Sequence, residues 1–253
     1  MTRSIKPLAL ITGASRQIGI GAAIAQTLAQ DGWRVAITHW RPYDATMPWG
    51  SDSNETDQLL AEIQKVHPDA IAIEADLSSV ETPTQLFDTV ENSLGPADAL
   101  ILSHCMSVDS DILNTSIESF DQHFAINARA TWLLIREFGL RFKGEHGSGR
   151  IVSITSDHTA GNLPYGASKG AMDRIVLAAA EEFKHLGITA NVINPGPTDT
   201  GWMDDDIKQW AIDSTPLGRL GTARDCANMV RFLCSAEGGW VNKQLLMSNG
   251  GIQ

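Results

Sequence analysis

Short apolar runs alternate along the chain with longer stretches of helical periodicity. Residues 8–11, 35–38, 71–74, 99–102, 151–155, 188–193 and 244–247 read as strands. Residues 22–29, 55–66, 82–90, 117–140 and 164–185 read as helices, with Thr82 as an N-cap and Pro83 at the first helical position. Strand–helix alternation with fully apolar strands predicts a parallel sheet of about seven strands covered on both faces. That is a doubly wound, Rossmann-type α/β fold. No linker, repeat or low-complexity tract breaks it, so residues 1–253 are expected to form one domain. Two polar stretches interrupt the alternation. Residues 41–56 are expected to be an extended loop, and residues 198–219 to cover a ligand.

Charge narrows the partners. The net charge of −11 disfavours nucleic acid and anionic membrane, which need a basic surface. Cys105, Cys226 and Cys234 form no CxxC pattern and read as reduced thiols. Met1–Lys6 lacks a charged start followed by a long apolar run. No signal peptide or membrane span is expected, and cytoplasm is the expected location.

The run Ile11-Thr12-Gly13-Ala14-Ser15-Arg16-Gln17-Ile18-Gly19-Ile20-Gly21 follows the first strand and opens the first helix. Glycines there let the backbone approach a pyrophosphate, and the helix N-terminus offers unpaired N–H groups to phosphate. An acid at the end of the second strand would select NAD, but none occurs between Asp31 and Asp44. Arg16 and Arg41 are suited instead to a 2′-phosphate, at about 1.5–3 kcal/mol per charge-assisted contact. NADP(H) is the expected cofactor. NAD(H) is the alternative, with both arginines solvated and Asp44 reaching the ribose.

Tyr165 and Lys169 lie four apart, on one face of the helix predicted for residues 164–185. An ammonium beside a phenol favours phenolate, which turns a poor base into a usable one. Together with the features upstream, these residues resemble the short-chain dehydrogenases/reductases, in the single-domain branch that includes carbonyl and 3-oxoacyl reductases. Thr12, Gly13, Gly19, Ile20 and Gly21 look like the cofactor loop of that family, with Ser15 and Arg16 inside it. Asp76-Leu77 looks like its adenine contact and Asn127 like its relay asparagine. Ser156 is similar to its catalytic serine. Asn194-Pro195-Gly196-Pro197-Thr198-Asp199-Thr200 resembles its nicotinamide-side loop. The resemblance implies hydride transfer between nicotinamide and a carbonyl carbon, with Tyr165 as proton donor and Ser156 bonded to the substrate oxygen. It implies that Lys169 binds the ribose and lowers the Tyr165 pKa, and that Asn127 holds a water linking Lys169 to solvent. The implied catalytic set is Asn127, Ser156, Tyr165 and Lys169. The implied cofactor set is Gly13, Ser15, Arg16, Gly19, Ile20, Gly21, Arg41, Asp76, Leu77, Ser103, Tyr165, Lys169, Pro195, Gly196, Thr198 and Thr200. No metal is expected.

Three departures from the family pattern stand out. Gln17-Ile18 read as an insertion; the other register would put Gln17 where glycine is favoured. Leu102-Ser103-His104-Cys105 replaces small residues after the fourth strand, and His104 and Cys105 are expected to pack beside the cofactor. Ser156 stands only nine positions before Tyr165, so the loop between them is short, and Ser153 and Thr155 are alternative hydroxyls. Trp202, Met203, Trp210 and Ile212 suit either a mobile lid or a surface helix. Gly166, Ala167, Gly170, Ala171 and Ala178 form a small-residue face that the resemblance assigns to a homotetramer, or a homodimer. The expected partner is a small ketone or alcohol, or an acyl thioester. A non-catalytic dinucleotide-binding sensor is the alternative function.

Overall fold

The computed structural model describes residues 6–52 and 54–252. Seven parallel strands form one sheet in the order β3-β2-β1-β4-β5-β6-β7. They are β1 (Leu8–Thr12), β2 (Arg34–His39), β3 (Ile71–Glu74), β4 (Ala99–Leu102), β5 (Arg150–Ile154), β6 (Thr189–Asn194) and β7 (Leu245–Met247). The expected Rossmann-type α/β architecture is therefore present, and strand edges shift from their predicted positions by about a residue. Strand side chains point alternately to the two faces. Ala9, Ile11, Ala99 and Ile101 enter one core, whereas Leu8, Leu10, Leu100 and Leu102 enter the other.

Helices α1 (Ile20–Gln30), α3 (Glu55–Gln64) and α9 (Ala223–Cys234) cover the first face. Helices α4 (Thr82–Leu94), α6 (Ala130–Arg141) and α7 (Leu163–Glu182) cover the second. Glu81, one residue earlier than expected, takes the N-cap position of α4 without a side-chain capping hydrogen bond. The periodicity did not reveal α9, although Thr222 and Asp225 form a capping box at its start. It buries Cys226, Ala227, Val230, Leu233 and Cys234 in one stripe.

Two other segments differ from expectation, and a third, 198–219, holds a surface helix, one of its two readings. Residues 41–56 are not all loop: α2 (Arg41–Thr46) forms there, started by Pro42 with its fixed φ and by Asp44 in the first turn. The helix expected over 117–140 is divided into α5 (Ile117–His123), a π-helical turn (Phe124–Arg129) and α6. Within 198–219, α8 (Asp205–Ser214) begins at Asp204, whose carboxylate accepts from Ile207 N at 2.8 Å. Only Ala211 of α8 is buried. No helix among the described residues is long and apolar enough to cross a membrane.

Candidate active site

Strands β1 and β4 are neighbours whose connections run to opposite sides, so a crevice opens beyond their C-terminal ends. The sequence-predicted residues gather along that edge. Gly13 to Gly21 follow β1, Arg41 follows β2, Asp76 and Leu77 follow β3, and Ser103 follows β4. Ser156 follows β5, and Pro195, Gly196, Thr198 and Thr200 follow β6. Tyr165 and Lys169 lie in the first turns of α7.

The glycine loop is shaped by close approach. A Cβ on Gly21 would lie 2.4 Å from Gly13 O, and one on Gly13 would lie 2.6 Å from His104 Cα. Gly13 also has φ +74°, a conformation glycine adopts without strain. Gly19 is the N-cap of α1 and provides no side chain to occupy the free N–H groups, which suits that end for phosphate. Gln17 and Ile18 project as an extra tip. Gln17 N donates to Glu55 Oε1 at 2.6 Å and Gln17 Nε2 to Gln58 Oε1 at 3.1 Å, which pins the tip to α3.

At the outer end of β2, Arg41 faces Glu74 across an exposed 3.4 Å ion pair. His39 beside it is buried, and its pKa is lowered by burial and then by Arg41, so it adds no positive charge there. The Arg16 guanidinium donates to Thr200 O and lies 4.2 Å from the Trp49 ring centroid. Asp76 Oδ1 accepts from Ser78 N at 2.9 Å, which fixes the turn after β3.

The segment after β4 owes its shape to His104. This imidazole is buried and pushed down to about 3, first by burial and then by Lys169, so it is neutral. Its Nδ1 lies 2.7 Å from Thr12 Oγ1 and its Nε2 3.1 Å from Ile126 O. The ring thereby ties the end of β1 to the π turn. Among the described residues no group of three or more His, Cys, Asp or Glu is arranged to hold a metal.

The π turn carries Asn127 inward, to full burial. Asn127 Oδ1 accepts from Met106 N at 2.7 Å. Its Nδ2 donates to Met106 O and to Ser168 Oγ, both at 2.9 Å. Its amide is thus committed to holding the post-β4 segment against α7. The short loop before Tyr165 is clamped in the same way. Asn162 Nδ2 donates to Ser107 Oγ at 2.8 Å and Asp109 Oδ1 at 2.7 Å, and Leu163 N donates to Ser110 O at 2.9 Å. Asn162, Ser107 and Asp109 were not singled out by sequence; no local motif marks a contact spanning about fifty positions. Gly166 is half-buried against the loop before α7: a Cβ there would meet His158 O at 2.0 Å.

Lys169 Nζ donates to Ile154 O at 2.8 Å and stands 5.8 Å from the Tyr165 ring centroid. Burial lowers its pKa, opposed by Cys105 and Asp173. Tyr165 is pushed well above the ordinary phenol range, mainly by burial and then by Cys105, with the Ser156 hydroxyl pulling the other way. Lys169 is not among the groups that chiefly set this shift, so the expected lowering is not seen; loss of water around the phenolate dominates. A phenol held in its protonated form is a proton donor. Ser156 Oγ, half-buried beside it, accepts from His158 N at 3.2 Å. Ser153 is fully buried and donates to Met172 Sδ at 3.1 Å, and so faces α7.

A glycine loop opening α1, and a half-buried tyrosine beside a buried lysine, at the C-terminal edge of a Rossmann sheet define a dinucleotide-dependent oxidoreductase. A family model described as enoyl-(acyl carrier protein) reductase matches residues 13–253. The uncharacterized oxidoreductase YjdA of Bacillus subtilis is 36% identical, over 100% of this chain and 99% of its own length. An NADPH-dependent aldehyde reductase-like protein, chloroplastic, of Arabidopsis thaliana is 33% identical, covering 96% of this chain and 93% of its own. A crystal structure of a short chain dehydrogenase from Burkholderia cenocepacia in complex with NADP superposes with a TM-score of 0.86. It is 29% identical and covers 98% of both chains. The chain belongs to the short-chain dehydrogenase/reductase family and is an NAD(P)-dependent oxidoreductase acting on CH–OH groups.

Proposed function

We propose that this enzyme uses NADPH to reduce an aldehyde or ketone to the alcohol, with 3-oxoacyl thioesters as a further substrate class. The observation that carries this reading is Tyr165, half-buried between Ser156 and the buried Lys169 and held protonated. The cofactor supplies a hydride to the carbonyl carbon. Tyr165 gives its phenolic proton to the oxygen that becomes alkoxide, and Ser156 donates a hydrogen bond to the same oxygen. Lys169, anchored on Ile154 O, holds the ribose side of the nicotinamide and adds positive charge as the phenol loses its proton. Asn127 keeps the floor of the site rigid through Met106 and Ser168.

The residues fit a dinucleotide. The Gly13–Gly21 cradle has no room for a side chain, and the start of α1 has free donors for the pyrophosphate. Ser15, Ile20, Asp76, Leu77, Ser103, Pro195, Gly196, Thr198 and Thr200 would line the rest. The NADP of the Burkholderia structure and the NADPH in the Arabidopsis relative's name support the phosphorylated cofactor. Arg41 is the cation suited to its 2′-phosphate, and Glu74 opposes it. Glu74→Gln is therefore expected to lower the KM for NADPH about two- to fivefold, the effect of an exposed charge pair, and to leave that for NADH unchanged. Paired steady-state assays check this.

Residues 198–219 would act as the lid over substrate. The exposed face of α7, with Ala167, Gly170 and Ala178, supports self-association as a homotetramer or homodimer. The test of function is oxidation of NADPH with a panel of aldehydes, ketones and β-keto esters, beside the same panel with NADH. Tight NADPH binding without turnover of any of them would favour the non-catalytic sensor. Within the active panel, Ser156→Ala is expected to lower kcat about 10- to 100-fold, the worth of a hydrogen bond to a developing charge. Ser153→Ala is expected to lower only the melting temperature.

A further inference from the structure

The two segments that interrupt the strand–helix alternation meet each other through Arg16. The segment from Arg41 to Gly50 is held on both flanks. On one side the Tyr43 hydroxyl donates to Ser107 O at 3.2 Å and accepts from Ser107 N at 3.1 Å, in the stretch that follows β4. On the other, the Trp49 ring lies 4.2 Å from the Arg16 guanidinium and 4.5 Å from the Trp202 ring, tilted by 59°. Arg16 itself donates to Thr200 O, in the stretch that follows β6. Trp49 Nε1 donates to Asp44 Oδ1 at 3.2 Å, so the segment is also braced internally, by a buried carboxylate whose charge acts on Arg16.

The direction of Arg16 has a cause. The two-residue tip Gln17-Ile18 is fastened to α3, and Thr56 Oγ1 donates to Ser15 O at 3.3 Å. The loop therefore leaves β1 braced on α3, with its arginine directed at Thr200. A guanidinium is planar and stacks on indole while its N–H groups remain free for a carbonyl, which an ammonium does less well.

We propose that Arg16 is the positioning residue of a clasp that closes the Arg41–Gly50 segment and the Thr200–Trp202 turn over the cofactor crevice, rather than a reader of the 2′-phosphate. The proposal rests on the NADPH reading above. It makes residues 41–50 a second lid that meets the first at Trp202, so that cofactor leaves only when the Trp49–Arg16–Trp202 contact opens. Discrimination between NADPH and NADH then falls to Arg41.

Stopped-flow measurement of NADPH and NADH binding, followed through the emission of the reduced cofactor, tests this without turnover. Release rates come from chasing bound NADPH with excess NADP+. Trp49→Ala, Trp202→Ala, Arg16→Ala and Arg16→Lys are compared with the parent, each checked for folding by its melting curve. The clasp predicts NADPH release about tenfold faster in Trp49→Ala, Trp202→Ala and Arg16→Ala. Arg16→Lys should be nearly as fast, because the charge remains but the planar stack is lost. The double variant Arg16→Ala/Trp49→Ala should be no faster than either single one, and the NADPH-to-NADH affinity ratio should stay as in the parent. A ratio that collapses in Arg16→Ala while Trp49→Ala is unaffected would return Arg16 to the 2′-phosphate and overturn the clasp, as would unchanged release in all four. A parent that binds neither cofactor would overturn the cofactor reading, and the clasp with it.

Discussion

Tyr165→Phe is expected to lower kcat for carbonyl reduction by about 10²- to 10⁴-fold, the usual contribution of a positioned proton donor. KM for NADPH should change little, because the ring keeps its packing and only the hydroxyl is lost. The effect follows from the state of that hydroxyl. Burial and Cys105 hold it protonated, and the Ser156 hydroxyl only partly offsets them. The same shift fixes the pH profile. A phenol whose pKa lies above its ordinary value keeps its proton throughout the neutral range. Reduction should therefore be flat there and fall only on the alkaline side, whereas alcohol oxidation, which needs phenolate, should rise with pH. Initial rates in both directions across pH check both statements. A reduction rate that falls between pH 6 and 8, roughly where histidine titrates, would point to a different donor.

Gly13→Ala is the second large effect, and it acts on the fold as well as on the site. Alanine at φ +74° costs about 1–2 kcal/mol. Its Cβ would also be driven to 2.6 Å from His104 Cα and 2.7 Å from His104 N, which are backbone atoms with little freedom to withdraw. Overpacking of this kind costs about 1–3 kcal/mol. Together about 2–5 kcal/mol are lost, a large share of a typical stability of about 5–15 kcal/mol. For a chain of this size that lowers the melting temperature by roughly 4–20 °C. Cofactor affinity should fall with it, since relief of the clash moves β1 and the loop beneath the pyrophosphate. Gly32→Ala is the control: φ is +96° there, but nothing lies within 4 Å of the added carbon. It should cost only the backbone strain and leave cofactor binding unchanged.

Gly13 shows how far the sequence could be read. Its place between a strand and a helix marks it as a phosphate-loop glycine, and this follows from the eleven residues Ile11 to Gly21. The reason it tolerates no methyl is His104, ninety-one positions on, which sequence reading took as packing beside the cofactor. Arg16 shows the same division. Its position in the loop suits a 2′-phosphate, whereas its contact with Thr200, 184 positions away, is visible only in the fold. The capping box at Thr222 is written in the sequence only as a spacing of three residues, not as a long periodicity.

What the sequence by itself determined is what short windows encode. Apolar runs of four to six residues, separated by helical periodicities, dictate a parallel sheet covered on both faces. A glycine run after β1 dictates where a pyrophosphate can approach, and a four-residue spacing puts Tyr165 and Lys169 on one face of α7. Tertiary structure alone decided the quantities that depend on burial and on distant partners. The sign of the Tyr165 shift is set by how much water the fold removes from the phenol. The inward turn of Asn127 comes from a π-helical step with no local breaker to announce it. The meeting of Trp49 with Trp202 requires β2 and β6, at different places in the sheet, to bring their following segments across the same crevice. Periodicity specifies which face of an element is buried, but only packing specifies what it is buried against.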